Sequence, residues 1–164
     1  MFTAAVVTIS DKGSRGERKD LSGPVLVKKL EDAGYKIVHT SIIPDEYEDI
    51  KNTLTQLSDT VHANLILTTG GTGFSPRDIT PEATESVIER RTPGLTELAR
   101  QESLKITPKA SLSRATAGIR GKSLIINMPG SPKAAKEHLD VLLPILEHGL
   151  DILLDRDSEC GSVE

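Results

Sequence analysis

Leu65-Ile66-Leu67-Thr68-Thr69-Gly70-Gly71-Thr72-Gly73 is the stretch from which the rest of the chain can be read. A short apolar run stops at three glycines among four residues, and Ser75-Pro76-Arg77-Asp78-Ile79-Thr80-Pro81 follows. A buried strand therefore ends in a glycine turn, and a helix begins soon after. Glycines permit positive φ and let backbone approach closely. Bare N–H groups at such a turn make a nest for anions, phosphate above all. The same residues serve equally as a tight strand-to-helix turn without a ligand. No Gly-Lys-Ser/Thr closes the stretch, so it is not a P-loop, and its spacing is not the dinucleotide fingerprint.

Outward from this turn, strand and helix patterns alternate. Ala4 to Ile9 is an apolar, β-branched first strand, and Ser10-Asp11-Lys12-Gly13-Ser14-Arg15-Gly16 is a loop. Ser22-Gly23-Pro24 opens a helix with Leu26, Val27 and Leu30 on one face and Gly34 as its stop. Tyr35 to Pro44 is a second strand. Asp45 and Glu48 have the spacing of an N-cap and its acid, ahead of Ile50, Leu54, Leu57 and Val61 at helical intervals. Asn64 to Thr69 is the third strand.

Downstream, Thr80-Pro81-Glu82 starts a helix with Pro in its first turn. Pro93-Gly94 interrupts, and Leu95, Leu98 and Ala99 mark another helix. Ser113 to Ile119 and Ser123 to Asn127 read as a hairpin across Arg120-Gly121-Lys122. The last helix carries Leu139, Leu142, Leu143, Leu146 and Leu150. Pro144 predicts a kink in it, and His138 and His148 are expected on its surface. Residues 1–155 form one domain on this reading, and 156–164 a flexible tail. The alternation predicts an α/β fold, a three-layer α/β/α sandwich with a mostly parallel sheet.

Composition narrows the function. With 164 residues, the chain is long enough for one well-filled core. Net charge is -4 and no Lys/Arg block occurs, which speaks against a nucleic-acid surface. Aromatics are 2%, too few for base-stacking platforms. No apolar run is long enough for a membrane span, and Met1 to Val7 reads as a strand, not as a signal peptide. The single cysteine, Cys160, has no internal partner for a disulfide, which fits a cytoplasmic setting. The four histidines share no metal-ligand spacing, so zinc is not expected. No Gly-x-Ser-x-Gly elbow points to acyl transfer.

In open α/β sheets, ligands bind beyond the carboxyl ends of the strands. That places Ser10-Asp11, Pro44-Asp45, Thr69 to Gly73 and Asn127 to Ser131 along one edge. Asp45 alone reads as a helix cap, and Asp78 alone as an acid favoured by a helix dipole. Beside an anion nest they acquire another meaning. Two carboxylates near phosphates need a cation between them, and Mg²⁺ takes one or two carboxylates plus phosphate oxygens. A nucleoside triphosphate is the implied ligand. Arg77, Arg114 and Lys133 are candidates for phosphate charge balance, although each is an ordinary surface cation when taken singly.

The ordered series Thr69-Gly70-Gly71-Thr72-Gly73, Arg77-Asp78-Ile79-Thr80-Pro81-Glu82-Ala83-Thr84, Ser113-Arg114 and Asn127-Met128-Pro129-Gly130-Ser131-Pro132-Lys133-Ala134 closely resembles the MogA/MoaB family of molybdenum cofactor biosynthesis proteins, related to the gephyrin G domain. The resemblance runs from Ile9 to the last helix. It implies a molybdopterin-binding-domain fold and MgATP-dependent adenylylation of molybdopterin, with pyrophosphate released. By resemblance, Asp45 and Asp78 match the two essential acids and metal holders. Thr69, Gly70, Gly71, Thr72 and Gly73, with Asn127, Pro129, Gly130 and Ser131, border the nucleotide. Ser10, Asp11, Ser113, Arg114 and Lys133 fall on the substrate side. The family further implies a homotrimer or hexamer, and hand-over of product to a molybdate-inserting protein. A MoaB-type pterin or nucleotide binder with little turnover is the alternative.

Overall fold

The computed structural model describes residues 1–156; the expected tail lies almost wholly outside the described residues. Strands β1 (Thr3–Ile9), β2 (Lys36–Ile43), β3 (Leu65–Thr69), β4 (Arg90–Arg91), β5 (Ala117–Arg120) and β6 (Ser123–Met128) form one sheet in the order β2-β1-β3-β6-β5-β4. The β2-β1-β3-β6 part is parallel; β5 and β4 are antiparallel. Helices are α1 (Asp11–Ser14), α2 (Ser22–Asp32), α3 (Tyr47–Asp59), α4 (Thr80–Glu85), α5 (Pro93–Leu104) and α6 (Pro132–Leu153), with a 3₁₀ turn at Pro108–Leu112.

The three layers follow from the two-residue period of the strands. Ala4 and Val6 of β1, with Leu65 and Leu67 of β3 and Leu124, Ile126 and Met128 of β6, face α2, α5 and α6. Ala5, Val7 and Ile9, with Ile66 and Ile125, face α3 and α4. Strands covered on both faces read as continuous apolar runs, as β3 does. Leu26, Leu30, Leu139, Leu142, Leu146 and Leu150 are essentially shut from solvent, as their helical spacing demands.

Several local expectations need correction. Asp45 does not cap α3: Glu46 stands at that position, without a side-chain cap bond. Val61 lies beyond the end of α3 and is exposed. Pro93-Gly94 starts α5 instead of separating two elements. Ser113 to Thr116 precede the hairpin, whose first strand begins at Ala117. The helix α6 spans Pro132–Leu153 and keeps Pro144 inside it, as expected. His148 is exposed, but His138 is buried, with Nε2 2.8 Å from the Ser103 hydroxyl on α5. Burial, then the Arg100 charge, holds the His138 pKa below the ordinary value, because a charged imidazole there would be poorly solvated.

The chain passes from β1 outward to β2, then back across β1 to β3. The sheet order therefore reverses between β1 and β3, and a crevice opens outside their carboxyl ends. Thr8 pairs with Thr69 and Thr69 with Met128, so these ends are level.

Candidate functional site

A cleft of about 540 Å³ opens at this reversal point. It is lined by Thr8 to Ser10 after β1, Asp45 after β2, Thr69 to Gly71 after β3, and Gly130 to Pro132 at the start of α6. Asp78 and Arg18 to Ser22 complete the lining. The volume is in the range of small-molecule sites. Ser10, Asp45, Thr69, Gly70, Gly71, Asp78, Gly130 and Ser131 therefore come together, as the strand-end rule requires.

The glycine turn is held by its carbonyls. Thr80 donates its hydroxyl to Gly70 O at 2.9 Å and its N–H to Gly71 O at 3.1 Å. Arg114 donates its N–H to Thr72 O at 2.9 Å and Nε to Gly73 O at 2.8 Å. The Gly70 N–H goes to Met128 O, and the Gly73 N–H to Asp78 Oδ2 at 3.1 Å. Among the described residues, the Gly71 and Thr72 N–H groups have no protein acceptor. Thr69 Oγ1 donates to Pro129 O at 2.7 Å, tying the turn to the loop after β6.

The carboxylates divide by environment. Asp11 N–H donates to Asp45 Oδ2 at 2.9 Å, and Asp45 N–H returns a bond to Asp11 Oδ1 at 3.0 Å. Asp11 is also clasped by both arms of Arg77, at 3.0 and 3.1 Å. That bidentate contact, foremost, holds the Asp11 carboxyl below the usual carboxylate range. Asp45 moves the other way. Burial raises its pKa, and the Asp11 and Asp78 charges add to the rise, against the lowering effect of the Asp11 N–H bond. Among the described residues, neither Asp45 nor Asp78 is in an ion pair, and Asp78 Oδ2 accepts backbone N–H bonds from Gly73 and Ser75.

A carboxyl whose folded pKa is raised contributes stability fully present below its unfolded pKa and lost as pH rises through the folded value. Asp45→Asn, neutral at every pH, should therefore raise the melting temperature of the ligand-free protein at pH 7. The gain should fade as pH falls toward the ordinary carboxylate value, because Asp45 then takes up a proton itself. Melting curves of both proteins across this range check the sign.

Other expected site residues stand behind the cleft or away from it. Asn127 is buried beneath it: Nδ2 donates to the hydroxyls of Thr68 (3.0 Å) and Thr84 (2.9 Å), and Oδ1 accepts from Thr116 N–H (3.1 Å). That N–H can only donate, which sets the orientation of the amide. Asn127→Ala would leave three polar groups without partners, at a cost of about 3 kcal/mol, readable in urea denaturation. Arg114 braces the glycine turn, adding a bond to Asp78 O at 2.7 Å and an ion pair with Glu82. Ser113 precedes it, at the end of the 3₁₀ turn. Lys133 is 82% exposed at its side chain and is 4.0 Å from Glu137. Ser10 and Ser131 cap α1 and α6 through their hydroxyls.

Arg18, Lys19, Asp20 and Ser22 line the cleft without having been singled out by sequence. Asp20 takes the Thr8 hydroxyl at 2.7 Å and the Gly23 N–H at 3.0 Å. An acid three residues before the Gly23-Pro24 helix start was the available signal.

Comparison with known proteins places this geometry. Residues 5–148 match the model of the probable molybdopterin binding domain. The chain is 43% identical over 151 residues to a molybdopterin adenylyltransferase of Helicobacter pylori, covering 91% of this chain and 86% of that one. It is 47% identical over 142 residues to the molybdopterin adenylyltransferase of Haemophilus influenzae, covering 85% and 72%. The crystal structure of the molybdopterin biosynthesis enzyme MoaB of Thermus thermophilus superposes with a TM-score of 0.90 at 45% identity, covering 94% of this chain and 98% of that one. With its central parallel sheet, its cleft at the reversal of strand order and nearly its whole length matched, the chain belongs to the molybdopterin-binding-domain family of molybdenum cofactor biosynthesis.

Proposed function

We propose that this protein is a molybdopterin adenylyltransferase that transfers the adenylyl group of ATP to the terminal phosphate of molybdopterin. One observation carries the reading: two carboxylates that form no ion pair among the described residues, Asp45 and Asp78, share a cleft with a glycine turn whose Gly71 and Thr72 N–H groups have no protein acceptor there. Relatives of similar length named for this activity support it.

The donor set suits Mg²⁺. Asp45 and Asp78 offer oxygen only, and burial makes an uncompensated charge at Asp45 unfavourable. No group of three or more His, Cys, Asp or Glu among the described residues forms a protein-only cage. A magnesium ion completes such a sphere with phosphate oxygens and water. Asp45 and Asp78 would hold it, and it would supply charge neutralisation for the phosphates.

The protein's own residues do the rest. Gly71 and Thr72 offer N–H groups to phosphate oxygens, in a turn fixed by Thr80 and Arg114 before substrate arrives. A phosphate oxygen of molybdopterin bonds to the α-phosphorus of ATP, the bond from that phosphorus to the bridging oxygen breaks, and pyrophosphate leaves. Both reactants are anions, so alignment and electrostatic support dominate the barrier. A cytoplasmic homotrimer that hands its product to a molybdate-inserting protein is part of the same proposal.

The test is purified protein with MgATP and molybdopterin, followed for pyrophosphate and adenylylated pterin. Both should appear together and depend on magnesium. Pterin and nucleotide binding without either product would instead establish a binder.

A further inference from the structure

We propose that Arg18 and Lys19 form an anion-capturing lip on the cleft, recognising the phosphate groups of an incoming substrate. Both residues line the cleft and are exposed. Among the described residues, neither side chain has an ion-pair or hydrogen-bond partner. Three other arginines differ. Arg77 is spent on Asp11 and Glu46, Arg114 on Glu82, and Arg15 on Glu17.

Charge arithmetic gives the lip its task. The cleft carries three carboxylates, Asp20, Asp45 and Asp78, against these two cations. Without the cations its field would repel phosphate, and a single divalent ion would not reverse that. The lip is also anchored. Asp20, next in sequence, is bonded to Thr8 on β1 and to Ser22 and Gly23 of α2. The backbone just after the two cations is thereby tied to β1 and α2, so less freedom is lost on binding.

The ligand chemistry is a phosphate anion. Two sources fit, the polyphosphate of a nucleotide and the phosphate monoester of a pterin. Naming those sources rests on the adenylyl-transfer reading; recognition of phosphate does not.

The test is the charge-neutral double variant Arg18→Gln/Lys19→Gln, two exposed changes, with the swap Arg18→Lys/Lys19→Arg beside it. Calorimetry with inorganic tripolyphosphate and with MgATP, between roughly 50 and 300 mM salt, reads affinity and its screening. The neutral variant should lose about 10-fold in affinity at low salt and show a flatter salt dependence, while the swap stays near wild type. A rise in KM for ATP places the lip on the nucleotide, and a rise for molybdopterin alone places it on the acceptor. The proposal is overturned when the neutral variant keeps tripolyphosphate affinity and both KM values within about two-fold of wild type, or when the wild type binds no phosphate compound. A wild type that binds tripolyphosphate but makes no adenylylated pterin sinks the transfer reading and leaves the lip standing.

Discussion

Asp78→Asn should leave a folded protein that has lost adenylyl transfer. The side chain has two separable roles. Its Oδ2 accepts the N–H groups of Gly73 and Ser75, which shapes the loop after β3. Its charge, in no ion pair among the described residues, is the part that the proposed metal role would use. An Asn side chain keeps one carbonyl oxygen for the two N–H groups and removes the charge. Exchanging charge-assisted bonds for neutral ones costs about 1 kcal/mol. In a chain of this size that lowers the melting temperature by about 2–4 °C. Transfer should fall far more, by at least about 10²–10³-fold, the scale set by removing one electrostatic contributor to a transition state. Asp78→Ala adds the loss of the loop bonds and should be the less stable of the two. Near-wild-type turnover by a folded Asp78→Asn protein would remove Asp78 from the metal site.

The distinction between those two roles shows what was legible in the sequence. The sheet was, because β1, β3 and β6 are buried on both faces and announce it as unbroken apolar runs. The strand-end rule then placed four loops on one edge without any coordinates. What resisted reading was how side chains satisfy backbone groups far away in sequence. Asp45 stands where a cap belongs, yet its carboxylate accepts the N–H of Asp11, 34 residues earlier. Arg114 precedes no obvious loop of its own, yet its N–H and guanidinium hold Thr72, Gly73 and Asp78, all more than 30 residues earlier. His138 lies on a helix whose apolar stripe runs through leucines, and only packing against Ser103 of α5 reveals it as interior. Arg18 and Lys19 are illegible in the sequence for the opposite reason. A pair of cations in a polar loop is common, and the cleft alone gives these two significance.

Gly70→Ala is the substitution that should cost the fold most. Gly70 has φ +105°, a conformation that residues with a Cβ avoid. It also packs against β1: a Cβ there would collide with the carbonyl oxygen of Ile9. Relief by a side-chain rotation is not available, because the colliding group is backbone at the end of a central strand. Nor can the turn retreat freely, since Gly70 N–H is bonded to Met128 O and Gly70 O receives the Thr80 hydroxyl. Backbone strain of about 1–3 kcal/mol and overpacking of about 1–3 kcal/mol should combine to about 3–5 kcal/mol. That is a large share of the roughly 5–15 kcal/mol holding a domain together. Gly16→Ala is the control that separates the two contributions. Gly16 has φ +74° but no neighbour within 4 Å of an added Cβ, so it carries the strain alone. Urea denaturation of both variants should show Gly70→Ala the less stable by about 1–3 kcal/mol, the overpacking share. Equal losses would mean that the approach of Gly70 to Ile9 is not a constraint. The crevice between β1 and β3 would then owe its shape to something other than this contact, and the glycine would be explained by its φ angle alone.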